Sequence, residues 1–329
     1  MVRFKETETS KTIPGVRIGH ASDFKGLTGC TVVLCEGGAV CGVDVRGSAA
    51  GTRDLAPCLP GHVVERVHAI FLSGGSAFGL DAAAGVMEYL ESRGVGFPAG
   101  RVRVPIVPAA VIFDLHLGSS KARPSRRMAL RACQRASRSV VEGSVGAGTG
   151  ATVGKLYGVA QATKGGLGFW SRGMRGGVRV QALAVVNAFG DVVDPRTGKV
   201  IAGARHSVGS AEFVGTVESM FAGGVGPGFG ATHTTLVVVM TTAALDKVDA
   251  TKVAQMAHDG LARAIRPVHT QFDGDLVFAL SVGRKRAEVD SLGTAAAEVT
   301  AEAVVRAVET ARGLGGVPSC RELAVGSRE

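Results

Sequence analysis

The alternation of apolar and polar positions in the first third of the chain predicts strands followed by a helix. Apolar, β-branched runs at Thr31–Cys35 and Ala39–Val45 are separated by a short glycine-containing link, a pattern typical of a β-hairpin. A further apolar run at Val67–Leu72 predicts another strand. Apolar residues at helical spacing then predict a helix from about Ala77 to Arg93, with Ser76 as its N-cap.

The remainder of the chain predicts strands and helices in mixed order. The expected strands are Val178–Asn187, Thr235–Thr242 and Leu276–Val282. The expected helices run from about Pro124 to Arg138, from Ala250 to Ile265 with Asp249 as N-cap, and from Leu292 to Arg312. Between them we expect irregular or edge structure at Arg103–Asp114, glycine-rich loops at Ser144–Gly154 and Phe221–Gly230, and a loose tail after Val317. The order lacks the βαβα repeat of a parallel sheet, so it favours an α+β fold in one domain over residues 1–329.

Composition narrows the class of protein. Glycine accounts for 48 of the 329 residues, about twice the usual share, which predicts many tight turns and close backbone approaches. Apolar runs stay below the roughly 18 residues needed to cross a bilayer, and the N-terminus lacks the apolar region of a secretory signal. The six cysteines are too sparse for a disulfide scaffold and lack zinc-site spacing. We therefore expect a reduced, cytoplasmic protein with neither a membrane partner nor a metal site.

The net charge of +9 is concentrated in one segment. Much of the excess comes from seven residues within eighteen positions: Lys121, Arg123, Arg126, Arg127, Arg131, Arg135 and Arg138. A basic helix of this kind can bind nucleic acid or acidic lipid. The simpler interpretation, a solvated helix face, is favoured, because aromatic residues make up only 5% of the chain and nucleic-acid stacking surfaces need them.

Three familiar motifs are incomplete. The glycine-rich segment Gly146–Ala151 follows no clear strand and has no acidic residue about twenty positions later, as a dinucleotide site requires. Gly154 and Lys155 suggest a phosphate-binding loop, but Leu156 stands where Ser or Thr is needed. Ser76 misses the nucleophile-elbow pattern by one residue, so its role as a helix cap is the better interpretation.

Three other places carry candidate chemistry. Thr234 is a hydroxyl residue delivered by a glycine-rich stretch to the mouth of an apolar strand, although threonine is also an ordinary strand former. Asp273 and Asp275, separated by Gly274, open the next strand; the pair suits either a turn or a shared-proton network. Asn187, the only asparagine in the chain, ends a buried strand, where its amide suits an oxyanion donor or a turn.

At these residues the sequence resembles the L-aminopeptidase/D-esterase family (peptidase family S58), which includes β-peptidyl aminopeptidases and nylon-oligomer hydrolases. The resemblance covers most of the chain and rests on several segments in one order: Gly15–His20, Ser73–Leu80, Val104–Asp114, Gly146–Gly150 and Phe272–Asp275 with the strand after it. Several long segments in one order are far more specific than any one of the short motifs above.

The resemblance implies a fold, an activity and an assembly. The fold is a four-layer αββα sandwich like that of N-terminal-nucleophile hydrolases, and members form homo-oligomers, often tetramers, that act on short peptides, amides or esters without a cofactor. The inactive chain cuts itself before a Ser or Thr, which matches a cut between His233 and Thr234 and fragments 1–233 and 234–329. The acidic pair matches Asp273 and Asp275, the catalytic lysine Lys155, and the amide donor Asn187.

The chemistry implied at Thr234 is reasonable from first principles. A freed α-amine has an ordinary pKa of about 7.7–8.0, and a desolvated site lowers that pKa and supplies a base on the nucleophile itself. Asp273 and Asp275 would then orient the amine and the hydroxyl, Asn187 would bind the oxyanion, and Lys155 would add positive charge. One departure concerns His233, since family members commonly carry Asn or Gly there.

Two other interpretations of the sequence remain open. In the first, the acyl-enzyme passes its acyl group to an amine rather than to water, as in the similar ornithine acetyltransferases. In the second, the chain stays uncut and serves as a scaffold that binds nucleic acid through its basic helix.

Overall fold

A computed structural model describes residues 11–224 and 233–326 of the chain. Within these ranges the strands are β1 (Arg17–Asp23), β2 (Thr28–Val45), β3 (Gly51–Arg53), β4 (Val67–Ser73), β5 (Phe97–Ala99), β6 (Val102–Val104), β7 (Ala109–Val111), β8 (Thr152–Val153), β9 (Thr163–Lys164), β10 (Gly166–Gly173), β11 (Arg179–Asn187), β12 (Asp191–Val193), β13 (Val200–Ala202), β14 (Thr234–Ala243), β15 (Ile265–Arg266) and β16 (Leu276–Lys285). The helices are α1 (Ala83–Glu91), α2 (Arg126–Gln134), α3 (Thr216–Phe221), α4 (Lys247–Ala264), α5 (Val289–Glu309) and α6 (Cys320–Gly326). Most of the expected glycine-rich loop Phe221–Gly230 lies outside the described residues.

Two large sheets share the long strand β2. The first sheet has the order β10-β11-β14-β16-β2, and the second continues as β2-β4-β7-β3 with β1 also paired to β2. Neighbouring strands are antiparallel except for two parallel pairs, β14 with β16 and β4 with β7. This agrees with the expected α+β fold, which lacks the βαβα repeat of a parallel sheet.

Three apolar clusters divide the molecule into layers. One cluster, which includes Val237, fills the space between α4, α5 and the first sheet. The second, which includes Leu236 and Ile70, lies between the two sheets. The third, which includes Phe71, lies between the second sheet and helices α1 and α2. Leu236 and Val237 are neighbours on β14 and face opposite sides of the sheet, as strand geometry requires. The resulting order is helix, sheet, sheet, helix, and it confirms the expected αββα sandwich.

The hairpin expected between Thr31–Cys35 and Ala39–Val45 is wrong, because both runs belong to the continuous strand β2. The register of β2 against β4 shifts between Leu34 and Ala39, and Gly38 has a φ of +81° there. Such a bulge bends a strand without reversing it. The bend lets the first half of β2 pair with β1 and β4 while its second half pairs with β16.

Several element ends also differ from the sequence prediction. The expected helix at Ala77 begins as a 3₁₀ turn, Ser76–Ala82, in which Ser76 has a positive φ of +54° and makes no capping bond. Helix α4 begins earlier than expected, because the side chain of Asp246, rather than that of Asp249, accepts the capping hydrogen bond.

The remaining differences concern short or weakly patterned segments. The basic helix is shorter than predicted and is capped by Ser125. The segment expected to be irregular contains β7, which lies between β4 and the edge strand β3. The tail after Val317, expected to be loose, contains α6. Among the described residues, no helix has the length and apolar character that crossing a membrane requires.

Candidate active site

The three candidate positions meet where three neighbouring strands end. Strand β11 runs antiparallel to β14, so Asn187 at its end pairs with Thr234 at the start of β14. Strand β16 runs parallel to β14 on the other side, and a backbone bridge joins His233 to Asp273 just before these strands begin. Opposed residues on paired strands lie about 5 Å apart. The fold therefore brings together residues that are about forty or more positions apart in sequence.

The Thr234 hydroxyl lies against the carbonyl group of the peptide bond that precedes it. Thr234 is 3% exposed, and its Oγ1 donates to the carbonyl oxygen of His233 at 2.5 Å. The backbone N–H of Gly274 donates to the same oxygen at 2.6 Å. A donor aimed at this oxygen polarises the carbonyl carbon and stabilises negative charge that develops on the oxygen.

Gly274 is suited to this position by its lack of a side chain. A Cβ placed there would lie 2.7 Å from Thr234 Oγ1 and 2.9 Å from the backbone oxygen of Ala49. Both distances are shorter than side chains tolerate, so glycine lets the backbone approach the hydroxyl closely.

Asp273 is held by donors from two segments. Its Oδ2 accepts from the backbone N–H of Thr270 at 2.9 Å and from the Thr270 hydroxyl at 2.6 Å, and its Oδ1 faces the backbone N–H of Phe189. Burial, with a smaller contribution from the charge of Asp275, raises the pKa of Asp273 to about 6. Two buried carboxylates whose charges repel each other favour keeping a proton in the site.

Asp275 faces strand β14 and a histidine. Its Oδ1 accepts from the backbone N–H of Thr235 at 2.6 Å. Its Oδ2 accepts from the backbone N–H of His269 at 3.1 Å and lies 2.9 Å from His269 Nδ1. Asp275 therefore lies next to the residue that follows Thr234, and its orientation is fixed on both oxygens.

Lys155 and Asn187 form one unit. Lys155 Nζ donates to the backbone oxygens of Thr152 and Asn187 and, at 2.8 Å, to the Asn187 side-chain oxygen. The backbone N–H of Thr152 donates to that side-chain oxygen as well. Because only the amide oxygen accepts such bonds, the Asn187 amide NH₂ must face the other way, where it donates to the Phe113 carbonyl at 3.1 Å.

The charge of Lys155 is sensitive to pH near neutrality. Its side chain is 3% exposed. Burial lowers the pKa of Lys155 to about 7, and the nearby charge of Asp273 opposes that shift. Three acceptors surround Nζ, which matches the three N–H donors of the protonated form.

The glycine-rich segment before Lys155 is explained by packing. A Cβ at Gly29 of β2 would lie 2.3 Å from the Gly146 carbonyl oxygen, so the 3₁₀ turn Gly146–Gly148 lies directly on the strand. The backbone N–H of Gly146 donates to the Ser22 hydroxyl, and that of Ala147 to the Thr31 hydroxyl. These contacts account for the glycines without a bound nucleotide. Across residues 11–224 and 233–326, His, Cys, Asp and Glu side chains form no group that could hold a metal ion.

Sequence reasoning missed three contributors to this site. Sequence reasoning cannot single out the Gly274 amide, because every residue other than proline carries a backbone N–H. Thr270 and His269 lie shortly before the acidic pair, in a segment with no strand or helix pattern. Their nearness to Asp273 and Asp275 in sequence was the one available signal.

Comparisons with known proteins point to one family. The model of peptidase family S58 matches residues 11–320 of the chain. An aminopeptidase of Mycobacterium tuberculosis, itself described as uncharacterized, is 39% identical over 96% of this chain and 97% of its own length. The 6-aminohexanoate-oligomer endohydrolase of Paenarthrobacter ureafaciens is 32% identical over 89% of this chain and 84% of its own.

A solved structure matches the fold over nearly the whole chain. The L-aminopeptidase D-Ala-esterase/amidase of Ochrobactrum anthropi, described as a variant of the Ntn hydrolase fold, superposes with a TM-score of 0.74 at 17% sequence identity. The match covers 99% of this chain and 96% of that one. At this identity the likeness shows a shared fold.

Proposed function

The chain belongs to peptidase family S58, and from that membership we propose that it is a self-cleaving N-terminal-nucleophile hydrolase. It cuts itself between His233 and Thr234, and Thr234 then hydrolyses short peptides, amides or esters through an acyl-enzyme. The fragments are 1–233 and 234–329 of one folded unit, which assembles as a homo-oligomer in the cytoplasm.

The observation that carries the proposal is the contact of one hydroxyl, one carbonyl and one amide. Thr234 Oγ1 and the Gly274 N–H both bond to the His233 carbonyl oxygen, at 2.5 and 2.6 Å. When Oγ1 attacks the carbonyl carbon, negative charge develops on an oxygen that already has a backbone donor. The C–N bond then breaks, the hydroxyl proton goes to the departing nitrogen, and water hydrolyses the resulting ester.

His233 is compatible with this reaction. Its ring is 1% exposed and lies 5.3 Å from the ring of Phe189, between centroids. Its backbone N–H donates to the Phe272 carbonyl at 2.8 Å, which fixes the peptide before the cut. The reaction uses only the carbonyl of this residue, so an imidazole side chain does not interfere.

After the cut, the new α-amine of Thr234 serves as the base for its own hydroxyl. Asp273 pairs with His233, the residue before the cut, and Asp275 bonds to Thr235, the residue after Thr234, so the two carboxylates would orient the amine from either side. The Asn187 NH₂ group has two N–H donors, of which one donates to the Phe113 carbonyl. The other donates to the oxyanion of the substrate. Lys155 fixes the Asn187 amide and places a positive charge behind it.

The proposal is tested by two substitutions at one position. Thr234→Ala removes the hydroxyl, so we expect neither cleavage nor hydrolysis. Thr234→Ser keeps the hydroxyl, so we expect both reactions to persist within about tenfold of the wild type. Cleavage is followed by denaturing gel electrophoresis, and hydrolysis by amine release from amino-acid amides and from oligomers of 6-aminohexanoate.

Matched folding controls make the result decisive. Circular dichroism and thermal unfolding should be alike in the wild type before cleavage and in both variants, because Thr234 contributes little apolar surface. Cleavage or amide hydrolysis that persists in Thr234→Ala would contradict the proposal.

A further inference from the structure

A chain of hydrogen bonds leads from Asp275 away from the nucleophile. Asp275 Oδ2 lies 2.9 Å from His269 Nδ1, and His269 Nε2 lies 3.2 Å from His258 Nδ1. His258 Nε2 then lies 3.1 Å from the backbone oxygen of Asp44 and 3.5 Å from its Oδ2. The His258 side chain is fully buried, whereas that of Asp44 is 21% exposed. Two imidazoles therefore connect a buried carboxylate of the site with the backbone of Asp44, a partly exposed residue.

This series of hydrogen bonds needs more protons than two neutral imidazoles hold. Each of its three hydrogen bonds requires one proton, and both of its ends, Asp275 Oδ2 and the Asp44 oxygens, are acceptors. A neutral imidazole carries one N–H, so two of them supply only two protons. Satisfying all three bonds takes a third proton, which makes the histidine pair cationic or protonates a carboxylate.

The surroundings place this extra proton at the Asp275 end. At the outer end, Arg46 pairs with Asp44 at 2.9 Å and already satisfies that carboxylate. Burial, opposed by the hydrogen bond to the Asp44 backbone and helped by His269 and Arg46, lowers the pKa of His258 to about 4, which favours the neutral ring. Its Nε2 faces only the oxygens of Asp44, which are acceptors, so the His258 proton lies on Nε2. At the inner end His269 faces Asp275, and the charge of Asp275 also acts on Asp273.

Charge at the inner end favours the same assignment. Asp273 and Asp275 are two buried carboxylates, and Lys155 is a buried cation whose charge interacts with both. A second positive charge on His269 would leave the group of four neutral. Buried charges are stable when they are paired and hydrogen-bonded in this way.

We propose that His269, supported by His258 and Asp44, carries a proton beside Asp275 and thereby keeps that carboxylate ionised and oriented toward Thr235. The inference rests on the proposed function, in which Asp275 serves the amine of Thr234. His269 and His258 are positioning residues, because they act through Asp275.

His269 in this state stores one proton beside Asp275. The hydrogen-bond chain ends at the backbone oxygen of Asp44, 3.1 Å from His258 Nε2, and the Asp44 carboxylate lies farther away, at 3.5 Å.

The first test reads the protonation states directly. Wild-type protein labelled with ¹⁵N-histidine is examined by NMR between pH 5 and 9, and His269→Gln and His258→Gln assign the two rings. We expect His269 doubly protonated at pH 7 and His258 neutral with its proton on Nε2. Two neutral rings at pH 7 would overturn the proposal.

The second test separates positioning from simple packing. His258→Gln keeps an acceptor for His269 and a donor for Asp44, so the pH profile of kcat should match that of the wild type within about threefold. His258→Leu removes both the acceptor and the donor, so His269 should give up its proton at a lower pH. The alkaline limb of the kcat profile should therefore move about one pH unit lower, with KM unchanged. His206→Gln is the matched control, because His206 is an exposed histidine that takes no part in this series of hydrogen bonds.

The outcomes keep the two proposals apart. An unmoved pH profile in His258→Leu, with only a uniform loss of activity, would overturn the proton store. A wild type that neither cleaves nor hydrolyses while showing the doubly protonated His269 would overturn the proposed function and support the proton store.

Discussion

At the scale of single residues, the site is defined by atoms whose orientation has no alternative. The Asn187 amide is oriented because Lys155 and the Thr152 backbone both donate to its oxygen. Asp275 is oriented because donors reach both of its oxygens from different segments. Fixed donors and acceptors of this kind need no rearrangement during a reaction, which is the main source of electrostatic catalysis.

Gly274 offers a sharp test at this scale. A methyl group at Gly274→Ala would lie 2.7 Å from Thr234 Oγ1, so it must displace either the hydroxyl or the Gly274 amide. We expect cleavage to slow at least a hundredfold, by analogy with the loss of an oxyanion donor. The measurement is the rate of fragment formation on denaturing gels.

The control for this variant is Gly37→Ala. Gly37 also lacks a positive φ, and an added Cβ there meets no atom within 4 Å. Cleavage at the wild-type rate in Gly274→Ala would show that the close approach to Thr234 is unimportant.

Residue types could be predicted from the sequence better than their partners could. The sequence, with the family resemblance in the case of Lys155, points to five residues, and the structure brings them to one end of the first sheet: Thr234, Asp273, Asp275, Asn187 and Lys155. Their roles remain proposals. The Gly274 amide and the pairing of His258 with His269 could not be predicted, because they depend on tertiary contacts that leave no mark on spacing.

At the scale of elements, long strands were predicted well and their connections poorly. The ends of β11, β14 and β16 lie within a few residues of prediction, because buried strands read as long apolar runs. The hairpin was wrong because a glycine-containing bulge and a glycine-containing turn look alike in sequence. Strands β1 and β10 were not predicted as strands at all.

Helix α3 is held by a buried carboxylate that sequence reasoning overlooked. Asp191 accepts from the backbone N–H of Thr216 at 2.6 Å, from the Thr216 hydroxyl at 2.7 Å and from the backbone N–H of Ala204 at 2.9 Å. Asp191 is 2% exposed, so water offers these donors no replacement. It therefore fixes where α3 begins, on the path of the chain toward His233.

Asp191→Asn tests this role. The new amide nitrogen would face N–H donors, so we expect the free energy of unfolding to fall by about 2 kcal/mol, the cost of unsatisfied buried groups. The measurement is urea unfolding in the Thr234→Ala background, where the chain is expected to stay intact. Asp290→Asn, at an exposed position, is the matched control, and equal stability in the two variants would contradict the assigned role.

At the scale of the whole molecule, the layered fold explains why the residues of the site are buried. Thr234 begins a strand whose next apolar residue, Leu236, lies in the core between the two sheets. The site is therefore at the rim of that core, where burial raises the pKa of Asp273 to about 6 and lowers that of Lys155 to about 7. The four-layer order was expected only from the resemblance to a family. Composition and periodicity predicted an α+β class and no particular arrangement of layers.

The basic segment stands apart from this arrangement. Helix α2 packs its small residues against the second sheet and leaves Arg127 and Arg131 exposed. Arg126 pairs with Asp81, and Arg123 lies over the ring of Phe78 at 3.5 Å from its centroid. The solvated helix face, which the sequence favoured over a nucleic-acid surface, stays a prediction.

The most direct test of the account is the intact mass of the purified, denatured wild-type chain, followed over hours at neutral pH. The account predicts two species, one ending at His233 and one beginning at Thr234, with Edman sequencing of the smaller reading Thr-Thr-Leu-Val. A single stable chain of 329 residues, or a cut at any other bond, would contradict it.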